Sequence, residues 1–436
     1  MRTQAIGAGF EGLEERLLLA GSVTSALVAG VLVLDGDGLA NQVQLTVASN
    51  GQLTATGLSG TTINGVTSFN FGVVSTPLRV NGGAGDDTIS MNSTAATIAN
   101  NVTIDGGLGN DTVSVMGKFG GNLVLNGGTA PVGATGGNDT ITVSNSTVAV
   151  DLIIDSGDDN DKVTLSGSTV THNAQIQTGL GNDSISINRM SVNNDLALAD
   201  IGGNNALTIT NSSTRNDILV VLGDGNDALI VNGLTAGVKT GATAQGLISI
   251  NFGNGNNSLT MSNTKAVGST VLDGIFLSGG AGRDTFGIVD SQTNSGIEVI
   301  TGGGNDRVEL TRVQIFDRRT TGTLILASRG LNITTDLGND TVVLNGVNLV
   351  RSTLIDTGAD VDTLRITNCR FTGVMNAQMG LGNDSAYLGT NFIASPLSTI
   401  LGGIDNTDFD VLTVFANNPA NNFSFTRFEV TRVLKL

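Results

Sequence analysis

Apolar residues along this chain recur in short alternating pairs, and the pairs keep a fixed distance from a repeated Gly-rich turn. Two and four residues after the turn's acidic residue stand Val113/Val115, Ile141/Val143, Val163/Leu165, Ile185/Ile187, Val308/Leu310 and Leu364/Ile366. Nine and seven residues before it stand Val102/Ile104, Leu196/Leu198, Ile275/Leu277 and Ile297/Val299. A third apolar position falls nine residues after it, at Val148, Val170, Val192, Ile315, Leu349, Phe371 and Ile393. Alternation with period two places one face of a strand inward. The pattern therefore predicts three short strands per repeat, and no stretch has the longer 3.6-residue period that a helical repeat needs.

The spacing of the turn predicts the architecture. Asp139, Asp161, Asp183, Asn205 and Asp227 succeed one another every 22 residues, as do Asp284 and Asp306, and Asp340, Asp362 and Asp384. Other intervals are longer and none is shorter, so 22 residues close one circuit and the excess is inserted loop. A period of about 20–50 residues marks a solenoid whose repeats bury their apolar faces only against neighbours. The expected fold is an all-β, single-stranded, right-handed parallel β-helix of about 22 residues per coil with roughly 14 regular coils. At about 4.8 Å per coil it is roughly 65 Å long. Residues 81–414 form the regular body and 31–80 irregular first coils. Residues 1–30 read as a leader and cap, and 415–436, with Phe415, Phe423, Phe425 and Phe428, as a C-terminal cap. Insertions are expected near 129–134, 236–246, 264–273 and 317–330.

Composition fits this outline. The 61 glycines supply turns, and only 4 prolines interrupt the ladders. A net charge of −17 argues against nucleic acid or an anionic membrane as partner, and no membrane-spanning apolar run is present. The single cysteine, Cys369, excludes an internal disulfide and is expected buried on an apolar strand.

The acidic position is a carboxylate at residues 87, 111, 139, 161, 183, 227, 284, 306, 340, 362, 384 and 410, and an amide at Asn205 and Asn257. Stacking would align these side chains in one row. Unit charges so close repel by about 1 kcal/mol in water and several times more near a protein surface. Such a row must bind cations, raise its pKa values or hydrogen-bond heavily to turn N–H groups. Asn precedes the key residue in ten coils, from Asn110 to Asn383, and amides stack coil on coil.

The turn resembles the calcium-binding repeat of RTX toxins and adhesins, GGxGxDxUx with U apolar. Residues 106–114 (GGLGNDTVS), 82–90 (GGAGDDTIS) and 279–287 (GGAGRDTFG) match it at every specified position. The resemblance implies Ca²⁺ between stacked turns, held by carboxylates and turn carbonyls. It makes Asp87, Asp111 and Asp284 the foremost ligands. Asp183, Asp227, Asp306, Asp340 and Asp384 follow on partial motifs, and Asp139, Asp161 and Asp362 complete the row. RTX repeats recur every nine residues with a glycine turn on both edges; here the period is 22 and one edge carries the turn. The alternative is a purely structural turn in which Asp caps N–H groups and Asn forms an amide ladder. Near the N-terminus, Leu13-Glu14-Glu15-Arg16-Leu17-Leu18-Leu19-Ala20 resembles the LExRxLLA element of the LEPR-XLL proteins of planctomycete-type bacteria. That resemblance implies an exported or surface protein.

Catalysis finds little support. The chain has no Trp and one Tyr, Tyr387, and its one histidine, His172, reads as a surface residue. A repeated Asp is a poor catalyst, because a catalytic group should be singular. Hydroxyls such as Thr112/Ser114 and Thr140/Thr142 line an outer face, but the Thr-bearing turn of ice-binding solenoids is replaced by Leu108, Leu180 or Leu381. The expected function is that of a non-catalytic extracellular or cell-surface rod with a structural or adhesive role. Its expected partners are extracellular polysaccharide or cell-surface components. The alternative is a carbohydrate-active β-helix that uses the basic loop around 307–329, with Arg307, Arg312, Arg318, Arg319 and Arg329.

Overall fold

In the computed structural model the described residues are 21–128, 136–238, 245–268, 273–316, 330–393, 398–403, 410–415, 423–428 and 430–434. The chain winds into a parallel β-solenoid of about 13 turns, successive turns lying about 23 residues apart. Among the described residues there is no helix.

The coil that begins at Asp161 shows the plan. A strand at Lys162–Ser166 is followed by a two-residue strand at Thr169–Val170 and a third at Ala174–Gln177. The chain then crosses the glycine turn to Asp183. The next coil repeats these strands at Ser184–Asn188, Ser191–Val192 and Leu196–Ala199, each parallel and in register with its predecessor. Register is strict because a slip of one residue would turn every apolar side chain outward. Like thus stacks on like: Val163 on Ile185, Ile185 on Leu207, and Leu207 on Leu229.

All three predicted apolar positions point inward. Val163, Leu165 and Val170 are fully buried, and Ala174 and Ile176 close the same layer. Burial of each larger side chain contributes about 1.5–3 kcal/mol. Within the interior Phe252 and Phe286 stack with ring centroids 5.1 Å apart. The bend between the first and second strands needs a left-handed residue; Asn145, Gly167, Asn211, Gly233 and Asn368 occupy it with φ of 47, 58, 50, 70 and 55°, and Arg189, Asp290 and Arg312 take it in other coils with φ of 53, 49 and 52°. Asn and Gly tolerate that region best.

The ends of the stack are built differently from its body. Residues 22–28, inside the segment read as leader and cap, form a strand antiparallel to Val31–Asp35, with Val23 buried. Residues 1–20, with the LExRxLLA-like element, lie outside the described residues. The region 31–80 holds antiparallel pairs as well as coil: Gln42–Val47 pairs with Gln52–Gly57, which pairs with Ser68–Val73. The first of these strands then stacks in parallel on Thr88–Ile98, so the sheet covers the end of the stack. At the other end, Phe423–Thr426 and Val430–Leu434 pair in parallel with Ser398–Gly403 and Val411–Phe415. Phe423–Thr426 and Val430–Leu434 fall in the segment 415–436 read as a C-terminal cap.

Close stacking explains the glycines two residues before the row. Gly304 has φ of 148°, and a Cβ there would lie 1.8 Å from the Gly282 carbonyl oxygen. A Cβ on the neighbouring Gly303 would meet nothing within 4 Å. Gly304→Ala is therefore expected to destabilise the chain by at least about 1–3 kcal/mol. Gly303→Ala should change stability by no more than about 0.5 kcal/mol. Urea unfolding of the two variants checks this, and equal losses would refute the stacking account.

Candidate functional site

The stack brings the predicted acidic residues into one buried column. Each row member accepts, on Oδ1, a hydrogen bond from the backbone N–H of the row member one coil earlier. Asn41 donates to Asp87 at 2.6 Å, Asp87 to Asp111 at 2.7 Å, Asp111 to Asp139 at 2.7 Å and Asp139 to Asp161 at 2.7 Å. The run continues from Asp161 to Asp183, then to Asn205, Asp227, Asn257, Asp284, Asp306, Asp340, Asp362, Asp384 and Asp410 without a break, at 2.7–3.0 Å. The geometry has a local cause. At the corner the row residue's N–H meets no strand partner, and a buried N–H without an acceptor is costly. The short side chain of the next coil supplies the acceptor.

Burial sets the electrostatics. Every row Asp is at most 3% exposed. In Asp87, Asp111, Asp139 and Asp227 the second oxygen is buried with no hydrogen-bond partner. Desolvation pushes Asp139 and Asp362 up to about 8, and Asp87, Asp161 and Asp183 up to about 7. It pushes Asp111, Asp227, Asp284 and Asp340 up to about 6 and raises Asp306. The ladder N–H bonds oppose the rise in each case, and neighbouring carboxylates add to it in most. The Ser156, Thr301, Thr335 and Thr357 hydroxyls draw Asp161, Asp306, Asp340 and Asp362 partway back. Asp200, itself buried and raised, faces Asp183 and accepts the Thr178 hydroxyl at 2.6 Å.

Three further columns run beside the row. The expected Asn ladder is present on the surface: Asn160 donates its N–H and its amide to Asn138 Oδ1, and Asn182 does the same to Asn160. Sequence reasoning missed the other two. One passes through Asn101, Asn122, Asp151, Asn173, Asp195 and Asp217, each accepting the N–H of the coil that follows. Its signal is an Asn or Asp one position before the third strand. The other lies seven residues after the row. Ser168 Oγ accepts from Ser146 N–H, and Ser212 Oγ from Met190 N–H. Cys369 occupies this column. It is buried as expected, but in the turn before Arg370–Phe371 and not on a strand. Its thiol accepts from Val347 N–H and donates to the Thr367 carbonyl, and burial pushes it up to about 11.

The row does not fit a calcium ion well. Ca²⁺ takes 6–8 oxygen ligands, whereas here one oxygen of each carboxylate is held by a backbone N–H. Among the described residues no three His, Cys, Asp or Glu groups converge on a point. Asn205 and Asn257 keep the same ladder bond without charge.

No family model matches the chain. Nor does any curated protein or solved structure.

The other candidate groups are dispersed. His172 is exposed and meets Asp151 at 2.7 Å. Arg365 lies over the Tyr387 ring at 4.3 Å. Arg307 pairs with Glu309, and Arg312 grips both oxygens of Asp290. Arg318, Arg319 and Arg329 lie outside the described residues. No helix among the described residues is long and apolar enough to cross a membrane.

The raised row has a pH consequence with a definite sign. An unfolded Asp titrates near 3.8, whereas these groups in the fold titrate at about 6–8. Between those values the fold binds more protons than the unfolded chain, so its stability is fullest in acid and is lost as pH rises through 6–8. The melting temperature is expected to fall between pH 5 and pH 8. A flat or rising profile in thermal melts would refute the raised values.

Proposed function

We propose that this chain is a non-catalytic rod with a structural or adhesive role at the cell surface or outside the cell. The observation that carries the reading is where its polar chemistry goes. The repeated carboxylates and amides, the only constellation that the sequence offers, are engaged in holding one coil to the next. A group that serves the same bond in successive coils is architecture, and among the described residues the strands present alternating side chains. Depressions on the described wall are open, from about 190 Å³ beside Gln44, Ser90, Asn92, Ser114 and Thr142 to about 410 Å³ beside Gly303, Leu337 and Ala359. Surface location and export rest on the LEPR-XLL resemblance, and a polysaccharide or cell-surface partner on the acidic, elongated repeat.

The second reading is carbohydrate-active chemistry at the basic loop, and the arginines carry it. Arg307 and Arg312 already face acidic partners on the solenoid wall, which favours the rod.

The test is to incubate the full chain with a panel of neutral and anionic extracellular polysaccharides. Sedimentation of the bound protein and polymer viscosity are both followed. Co-sedimentation with at least one polymer at constant viscosity is expected. A progressive viscosity loss that Arg307→Ala with Arg312→Ala abolishes would overturn the reading in favour of an enzyme.

A further inference from the structure

The two Asn coils show what the second side-chain atom at this corner can bond to. In Asn205 the amide Nδ2 donates to the Gly203 carbonyl at 3.3 Å, and in Asn257 to the Gly255 carbonyl at 3.2 Å. Asn41, at the head of the ladder, donates in the same way to the Leu39 carbonyl at 2.7 Å. In all three the acceptor lies two residues upstream, in the glycine turn, while Oδ1 of Asn205 and Asn257 takes the ladder N–H. The site therefore asks one side-chain atom to accept and the other to donate. An amide meets both demands. An ionised carboxylate is acceptor-only, and a protonated one gains a donor. The Asp coils stack on the Asn coils through the same turn: a Cβ on Gly203 would strike the Gly181 carbonyl, and one on Gly225 the Gly203 carbonyl.

We propose that row Asp residues whose second oxygen has no other partner, Asp111 and Asp139 foremost, present a carboxylic O–H to the turn carbonyl two residues upstream, as Asn205 and Asn257 present an N–H, so that each such coil closes as a neutral acid with one bound proton. The step is a protonation alone: a carboxylate oxygen binds a proton from solvent as the coil docks and returns it when the coil opens. The groups around the row reinforce this. Asp37 faces Asp87, Asp86 and Asp105 face Asp111, Asp159 faces Asp139 and Asp161, Asp200 faces Asp183 and Asp227, and Asp336 faces Asp340. Within the row, stacked neighbours face one another. These groups are all acids; the nearby cation is Arg79, which acts on Asp105. The inference does not depend on the rod's partner or location, and it replaces a metal ion with a proton in the turn.

Two measurements test it on the full chain. In the first, Asp111→Asn is combined with Asp139→Asn, and Asp111→Ala with Asp139→Ala is the comparator. Melting is followed at pH 5 and pH 8, each with EDTA, Ca²⁺ or Mg²⁺. The Asn pair is expected to fold, to melt at pH 8 no lower than the parent, and to lose less of its melting temperature between pH 5 and pH 8. The Ala pair, which lacks the Oδ1 acceptor, should melt lower at both. An Asn pair that fails to fold or melts as low as the Ala pair would overturn the proposal. So would a Ca²⁺-specific rise in the parent that the Asn pair loses. The second measurement is proton exchange on refolding of the parent chain from urea into weakly buffered solution at pH 6. Uptake of several protons per chain is expected, and no uptake would overturn the proposal.

Discussion

A stack of parallel coils leaves its corners short of hydrogen bonds, and the rest of this molecule depends on how that shortage is met. Along the three strands N–H groups pair in register with carbonyls of the adjacent coils. At the bends the backbone turns away from the ladder, and a buried N–H without an acceptor costs about 1–3 kcal/mol. The chain answers with short polar side chains placed at the corners: the buried Asp row, the Asn column, the Asn/Asp column before the third strand and the Ser column after the first. Each hands an oxygen, or at Cys369 a sulfur, to a neighbouring coil. The apolar interior supplies the driving force, and these columns determine which coil sits on which.

The architecture was legible because both of its periods are written in single residues. Val163/Leu165 and Ile185/Ile187 disclose strands with one buried face, and the 22-residue step from Asp139 to Asp161 discloses the circuit. The row was legible as a row for the same reason. What lay beyond sequence was the direction in which the carboxylates point. GGLGNDTVS at 106–114 satisfies a cation-binding pattern letter by letter, yet burial of Asp111 and the N–H held by its Oδ1 are facts of three dimensions. In the sequence the departures from that pattern are the 22-residue spacing and the single glycine edge. The ends were the least legible part. Residues 31–80 alternate as strands in either orientation, and nothing local tells Gln52–Gly57 to run antiparallel to its neighbours. Cys369 was placed one element too far, because a small residue beside apolar ones reads as a strand when the bend before it is not recognised.

The exchange of Asp for Asn within one row explains why the motif is such a weak guide to activity. Asp183 and Asn205 occupy equivalent corners, are equally buried and serve the same bond. Acid and amide share the shape and the accepting oxygen that the ladder bond needs. The same holds in the Ser column, where Cys369 does the work of Ser168 with a softer atom.

The buried row also has a sense of direction. The N–H of each member is satisfied only by the side chain of the coil that comes after it in the chain, so a coil is unfinished until its successor arrives. The antiparallel sheet formed by Gln42–Val47, Gln52–Gly57 and Ser68–Val73 covers the end that leaves the ribosome first. Synthesis then delivers the fastening for each coil in the order in which the coils appear, as a zip is drawn from its closed end. Chains fold from the N-terminus as they emerge, and in this one the order of fastening and the order of emergence coincide.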